Sequence, residues 1–187
     1  MNLKKILIAF GTRYGSTEEI ANKISEIFNQ KGLEPSIMNL KDVNSFDSID
    51  LEEYDGILLG SGIKIGKWTK SVQSFMKYLK EKSYEKNKKL GVFISSGEAG
   101  NPDNRSQIRE KYIENVLNEL DINVDLYDAF GGVIDLSDNS NLGFLTKKML
   151  KAMAKKDPNI TYGEVNDGRD WDQITNFAEK FAKLVEE

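Results

Sequence analysis

The sequence predicts an α/β chain in three layers, with a five-stranded parallel sheet between two layers of helices. Three observations predict it. Short apolar runs alternate with amphipathic stretches five times along the chain, and that alternation reads as successive βαβ units. The runs are apolar throughout, as strands covered on both faces are. Finally, 187 residues with 39% apolar and 30% charged side chains suit one soluble domain with a sizeable core.

Leu3 to Phe10 is the first strand, and the stretch from Gly11 to Gly15 breaks it. Ser16-Thr17-Glu18-Glu19 then fits a capping box, with Ser16 as N-cap and Glu19 reaching back. Ile20, Ile24, Ile27 and Phe28 follow at helical spacing, and Gly32 stops the helix. Glu34 to Leu40 is the second strand. Val43 to Tyr54 is acidic and weakly patterned, a short helix and a loop. Gly56 to Gly62 is the third strand, and Val72, Phe75, Met76 and Leu79 mark the second long helix. Leu90 to Ser96 is the fourth strand. Ile108, Tyr112, Val116, Leu117 and Leu120 mark a third helix. Asn123 to Ile134 reads as a fifth strand with a break at Gly131-Gly132, and Ile174, Phe177, Phe181 and Leu184 mark the last helix. We therefore expect one domain over residues 1–187, with an inserted basic amphipathic segment at about 138–165.

Composition excludes whole classes of chemistry. There is no cysteine, so disulfides, thiolate nucleophiles and Cys-ligated clusters are out. There is no histidine, so Ser-His-Asp triads and His-ligated metals are out as well. No metal site and no protein catalytic residue is expected; catalysis would have to come through a borrowed cofactor. The net charge of −4 argues against a nucleic-acid partner. The apolar run near the N-terminus is too short for a signal peptide, and no stretch approaches a membrane span. We expect a cytoplasmic protein.

In an open parallel sheet, ligands bind beyond the carboxyl ends of the strands. Polar or Gly-rich loops follow the first, third and fourth strands, at Gly11–Thr17, Ser61–Trp68 and Ser96–Arg105. The first is the most informative. Its glycines permit close backbone approach, the hydroxyls of Thr12, Ser16 and Thr17 suit phosphate oxygens, and a helix N-terminus follows. Arg13 adds an ion-pair candidate, so a phosphomonoester is the natural guest; the alternative is a plain β–α turn. Ser16 cannot use one lone pair for both capping and ligand. The Gly62–Trp68 stretch is one residue short of a P-loop, and Trp68 stands where a magnesium-binding hydroxyl is needed. The glycines at 60, 62 and 66 miss the dinucleotide spacing. Phe10-Gly11 stands where a phosphoacceptor receiver needs paired acids.

Taken together, the Thr/Ser-Gly loop between strand and helix and the later FGGVID strand resemble the flavodoxin family over nearly the whole chain. The resemblance implies a flavodoxin-like three-layer α/β/α sandwich with strand order 2-1-3-4-5, and bound FMN. Carried over, Thr12, Arg13, Tyr14, Gly15, Ser16 and Thr17 hold the phosphate. Ser61, Gly62, Ile63, Lys64, Ile65 and Gly66, with Ser96, Gly97, Glu98, Ala99 and Gly100, flank the isoalloxazine. Gly62 and Gly97 are candidates for a peptide that reorients on reduction, and Lys64 for a charge facing the ring.

Several details resemble the menaquinone-dependent protoporphyrinogen oxidase branch more than plain carriers. These are the Thr-Arg-x-Gly-x-Thr loop at Thr12–Thr17, the Ile-basic-x-Gly loop ending at Gly66, and Asp170-Trp171-Asp172-Gln173 opening the last helix. This resemblance implies an FMN-dependent oxidoreductase passing electrons to a quinone or a protein acceptor. The alternatives are a plain electron carrier and a module that has lost FMN. Leu142–Lys156 contains five lysines and no acid. It has three readings: a solvated helix over the sheet edge, a docking surface for a redox partner, or a weakly lipid-seeking helix at the inner membrane face. Trp171 is expected to pack the last helix, and Trp68 to serve as lid or core.

Overall fold

The computed structural model describes residues 3–84, 88–137, 139–140, 143–154 and 160–187. Five parallel strands form the sheet: β1 (Lys5–Gly11), β2 (Glu34–Asn39), β3 (Gly56–Gly62), β4 (Lys89–Ser96) and β5 (Leu126–Gly131). Their order is β2-β1-β3-β4-β5, as the resemblance implies. The helices are α1 (Ser16–Gln30), α2 (Lys70–Glu81), α3 (Arg105–Arg109), α4 (Asn115–Leu120), α5 (Phe144–Ala154) and α6 (Trp171–Glu186).

The pleat sends successive strand residues to opposite faces, and each face has its own core. On one, Leu7, Ile57, Leu59, Val92 and Ile94 pack with Val72, Phe75 and Met76 of α2 and with Ile113 and Leu117. On the other, Ile6, Ile8, Leu58 and Phe93 pack with Ile20 and Ile24 of α1 and with Phe177 and Phe181 of α6. Two covered faces explain why the strands read as unbroken apolar runs.

Three local readings are corrected. The capping box is absent: Gly15 is the residue before α1, at φ 94, with no side-chain cap, and Ser16 is already helical. The third helix is not continuous α-helix, because a π-helical turn, Glu110–Glu114, separates α3 from α4. The fifth strand does not run to Ile134. It ends at Gly131, and Val133–Asp135 forms a separate strand, β6, antiparallel to β7 (Val165–Asp167). The reason is a backbone crossing. A Cβ on Gly131 would lie 1.8 Å from the Gly168 carbonyl oxygen, and Gly168 N–H donates to Gly132 O at 3.1 Å. The chain therefore leaves the sheet at these glycines and returns as a two-stranded strap. Within the strap, α5 falls on the basic segment. Leu142, Lys155 and Lys156 lie outside the described residues, so the segment Leu142–Lys156 is described only in part.

Candidate functional site

Parallel register brings the three loops to one edge. Gly11 lies beside Ser61, and Gly62 beside Ser95. The loop after β1 folds on itself: Gly15 N–H donates to Thr12 Oγ1 at 2.9 Å, and the left-handed Gly15 swings the chain into α1. The first bond back into the helix is from Glu19 N–H to Gly15 O. The preceding amides of Ser16, Thr17 and Glu18 are therefore helix-terminal donors, and the helix dipole adds positive potential there.

The hydroxyls of this loop separate into three roles. Thr12 closes the turn. Ser16 Oγ lies 3.1 Å from Ser95 Oγ, which ties α1 to the end of β4. Thr17 is fully buried, and its Oγ1 has no hydrogen-bond partner among the described residues. A buried hydroxyl in that condition costs free energy. It sits directly behind the third-strand loop, since a Cβ on Gly62 would be 3.1 Å from it.

Arg13 reaches across to that second loop. Nη1 donates to Gly62 O and Lys67 O, and Nη2 to Trp68 O, all at 2.9 Å. Burial lowers its pKa from the ordinary guanidinium value, partly offset by Tyr14. Beyond Gly62, Ile63 N–H donates to Ser95 O, and Lys64 and Lys67 exchange backbone bonds across a tight turn. Ile65 and Gly66 at its tip have φ 50 and 69, and Ile65 is 75% exposed. Lys64 Nζ donates to Tyr14 Oη at 2.6 Å, so its charge is turned onto the first loop. Ser61 is buried, and its Oγ accepts from Thr69 N–H. It supports the loop from below.

In the third loop, Gly97–Gly100 forms a 3-10 turn capped by Ser96, whose Oγ accepts from Glu98 N–H. Ala99 is fully buried in the core and presents no surface to the loop cluster. The Glu98 carboxylate accepts from Tyr112 Oη at 3.3 Å. Gly97 packs under Ile134 of the strap, where a Cβ would meet Ile134 Cδ1 at 2.6 Å. Gly100 touches Gly168.

Of the two readings for Trp68, lid or core, the structure shows core: it is 2% exposed, with its indole bonded to the π-turn. Residue patterns did not reveal several other supports. Ser95 links α1 and β4. Arg169 ties the strap to α1: it donates to Asp167 and to Glu19, and it lies over the ring of Trp171, 4.7 Å from the centroid. The carboxylate contacts raise the Arg169 pKa and lower that of Asp167. The adjacent Ser95-Ser96 pair at a strand end was the one local signal available. A separate cleft of about 650 Å³ lies along the β5 flank, lined by Arg109, Asp128, Gln173 and Lys180. Within it Arg109 pairs with Asp128 at 3.0 Å, and Gln173 Nε2 donates to the same carboxylate.

The family model for the flavodoxin domain matches residues 7–161 of this chain. The chain belongs to that family. Family membership implies flavin binding. Among curated relatives, the protoporphyrinogen IX dehydrogenase [quinone] of Escherichia coli strain K12 is 24% identical over 188 residues, with 97% of each chain covered. A relative of the same name from Leishmania major is 24% identical over 187 residues, covering 96% of this chain and 75% of that protein. Among solved structures, oxidised Flavodoxin 2 from Bacillus cereus superposes with a TM-score of 0.58 at 22% identity, covering 96% of this chain and 99% of that one. A flavodoxin from the domain Archaea superposes with a TM-score of 0.56 at 18% identity, covering 98% and 99%. These two likenesses establish the fold. Among the described residues, no helix of this flavodoxin-family chain is long and apolar enough to cross a membrane.

Proposed function

We propose that this chain is an FMN-dependent oxidoreductase of the protoporphyrinogen-dehydrogenase-like type, delivering electrons to a quinone or a protein acceptor. One observation carries the cofactor assignment. The N-terminus of a 15-residue helix carries amides that precede its first intrahelical bond, beside Thr17, whose buried Oγ1 has no partner among the described residues. A phosphate oxygen would satisfy that hydroxyl and the neighbouring amides together, with the helix dipole favouring its charge. A flavin without phosphate would leave them unmet.

FMN supplies electron-transfer chemistry when bound, and the chain supplies binding, orientation and electrostatics. The cradle is Thr12, Gly15, Ser16 and Thr17, with the backbone of Arg13 and Tyr14. Gly62, Ile63, Lys64, Ile65 and Gly66 form one wall, and Ser96, Gly97, Glu98 and Gly100 the other. Ser61 and Ala99 act from beneath, through the positions of their neighbours. The Lys64–Tyr14 bond closes one side over the first loop, and the strap residue Ile134 closes the other at Gly97.

The likeness to quinone-linked relatives over 97% of the chain supports the acceptor class. The basic α5, with Phe144 80% exposed, supports weak contact with an anionic membrane surface. The deciding experiment is a visible spectrum after FMN addition and desalting. Retained bands near ~370 and ~450 nm, positions set by the cofactor itself, support the reading, and a colourless protein sinks it. Anaerobic assay with protoporphyrinogen and menadione then tests substrate and acceptor. Reduction of partner proteins without porphyrinogen turnover would leave the plain carrier.

A further inference from the structure

Arg13 stands in the first loop, where a cation beside a phosphoester is the obvious expectation. The structure directs its donors elsewhere. Three carbonyl oxygens, from Gly62, Lys67 and Trp68, converge on one guanidinium at 2.9 Å. These acceptors bracket the second loop, for Gly62 ends β3 and Lys67 and Trp68 close the turn. Without a cation among them these converging dipoles would repel one another: Lys67 O would keep its bond from Lys64 N–H, while Gly62 O and Trp68 O would lose the guanidinium donors, and the arrangement would open toward water. The turn they enclose holds Ile65 at φ 50, a left-handed conformation that is costly for a β-branched residue. Strain of that kind persists only where surrounding contacts over-determine it. The Lys64–Lys67 pair and Arg13 are those contacts.

We propose that Arg13 is a positioning residue, a clamp that fastens residues 62–68 to the phosphate-cradle loop so that the cradle and the wall beside it are preformed. This inference rests on the FMN reading for its purpose, though not for its geometry. A preformed cavity lowers the ordering cost of binding for any flavin. A phosphate ligand would improve the binding of FMN alone.

The two roles separate in one set of titrations. Wild type, Arg13→Met and Arg13→Lys, freed of flavin, are titrated with FMN and with riboflavin, which lacks the phosphate. Binding is read from flavin fluorescence. The clamp weakens both ligands in Arg13→Met by the same factor, about tenfold, or about 1.4 kcal/mol. Arg13→Lys falls between, because an ammonium lacks the planar fork that spans these acceptors. Loss for FMN with riboflavin unchanged would overturn the clamp. Hydrogen exchange of the flavin-free proteins gives a second readout. Amides from Ile63 to Lys67 exchange faster in Arg13→Met, while those of Ile6 to Phe10 stay protected. Unchanged exchange in the loop also overturns it. If the wild type binds neither flavin, the cofactor assignment fails, and the exchange comparison still decides the clamp. If Arg13→Met does not fold, Arg13→Lys carries both measurements.

Discussion

The indole Nε1 of Trp68 donates to the backbone carbonyl of Tyr112 at 2.6 Å. Tyr112 lies in the π-helical turn, and its hydroxyl in turn donates to Glu98. One residue thus touches both the second and the third loop of the candidate site. A π-turn shifts the backbone bonding pattern within a helix, and here the shifted segment supplies the acceptor for a buried indole. Gly66 packs on the same ring, where a Cβ would be 3.2 Å from Tyr112 Cε1. The second and third loops are therefore set by a helix on the far side of the sheet edge.

Trp68→Phe keeps most of the apolar volume and removes the donor. The Tyr112 carbonyl is then buried with one partner fewer, a loss of about 1–3 kcal/mol. For a chain of this size that is a fall of roughly 2–4 °C in Tm per kcal/mol. Urea denaturation and a thermal melt check it. Fluorescence checks the placement, because Trp68 is 2% exposed and Trp171 38%. Trp68→Phe should leave red-shifted emission, and Trp171→Phe blue-shifted emission. Equal emission from the two single-Trp proteins would contradict the burial assigned to Trp68.

Gly131→Ala tests the strap. The new Cβ would lie 1.8 Å from Gly168 O and 2.4 Å from Gly168 C, and both are backbone atoms. Neither can swing aside as a flexible side chain can. The strap must lift, at the ~1–3 kcal/mol typical of overpacking. Exchange at Val165 to Gly168 should rise well before that of β1. Gly143→Ala is the control, since no described residue lies within 4 Å of a Cβ there. Protection of β7 equal in all three proteins would remove the crossing as the cause of the strap's position.

Asp170 connects the strap's exit to pH. Its Oδ1 accepts from Gln173 N–H at 3.0 Å, capping α6, and Arg105 pairs with its other oxygen. The Gln173 backbone bond is the largest influence and lowers the Asp170 pKa; burial opposes it, and Arg105 adds to the lowering. A carboxylate depressed on folding stabilises above its unfolded pKa, about 3.9 for Asp. That contribution is lost as pH falls through the lower folded value. Asp170→Ala should cost about 1 kcal/mol at neutral pH, as N-cap losses do. The gap to wild type should narrow as pH falls below about 4. Urea midpoints at pH 7 and pH 3 check this, and a gap of constant size would refute the cap's charge dependence.

The parts of this fold that residue patterns reveal are those governed by local burial. β1, β3 and β4 are covered on both faces, so each reads as a plain apolar run, and the loops after them followed from the topology. What escaped depends on contacts distant in sequence. Ser16 and Glu19 match a capping box by spacing, yet Ser16 Oγ meets Ser95, 79 residues away, and Glu19 meets Arg169. No local pattern encodes that competition. β7 is three residues, Val165–Asp167, with no apolar alternation to detect. The π-turn keeps Ile108, Ile113 and Leu117 buried at spacings a simple helix nearly allows. Position alone groups Ala99 with its loop neighbours, whereas the 3-10 turn rotates it into the core. Charge alone points Arg13 at a phosphate, while the carbonyls that receive it lie 49 to 55 residues onward.

Thr17→Val gives the sharpest opposition between stability and binding. Thr17 Oγ1 is buried without a partner among the described residues. Valine has the same branched outline and no hydroxyl, so the flavin-free protein should gain about 1 kcal/mol, at the low end of the cost of an unsatisfied buried polar group. Under the FMN reading, the same change removes a donor to a phosphate oxygen. Hydrogen bonds to charged groups are worth about 1.5–3 kcal/mol, so FMN affinity should fall about tenfold or more. Riboflavin binding should hardly move, whereas Arg13→Met is expected to weaken both flavins alike. Calorimetric Tm values without flavin, with paired FMN and riboflavin titrations, make both halves visible. A destabilised variant that still preferred FMN as strongly as wild type would mean the hydroxyl has an internal role, and the phosphate would have to be held by the helix amides alone.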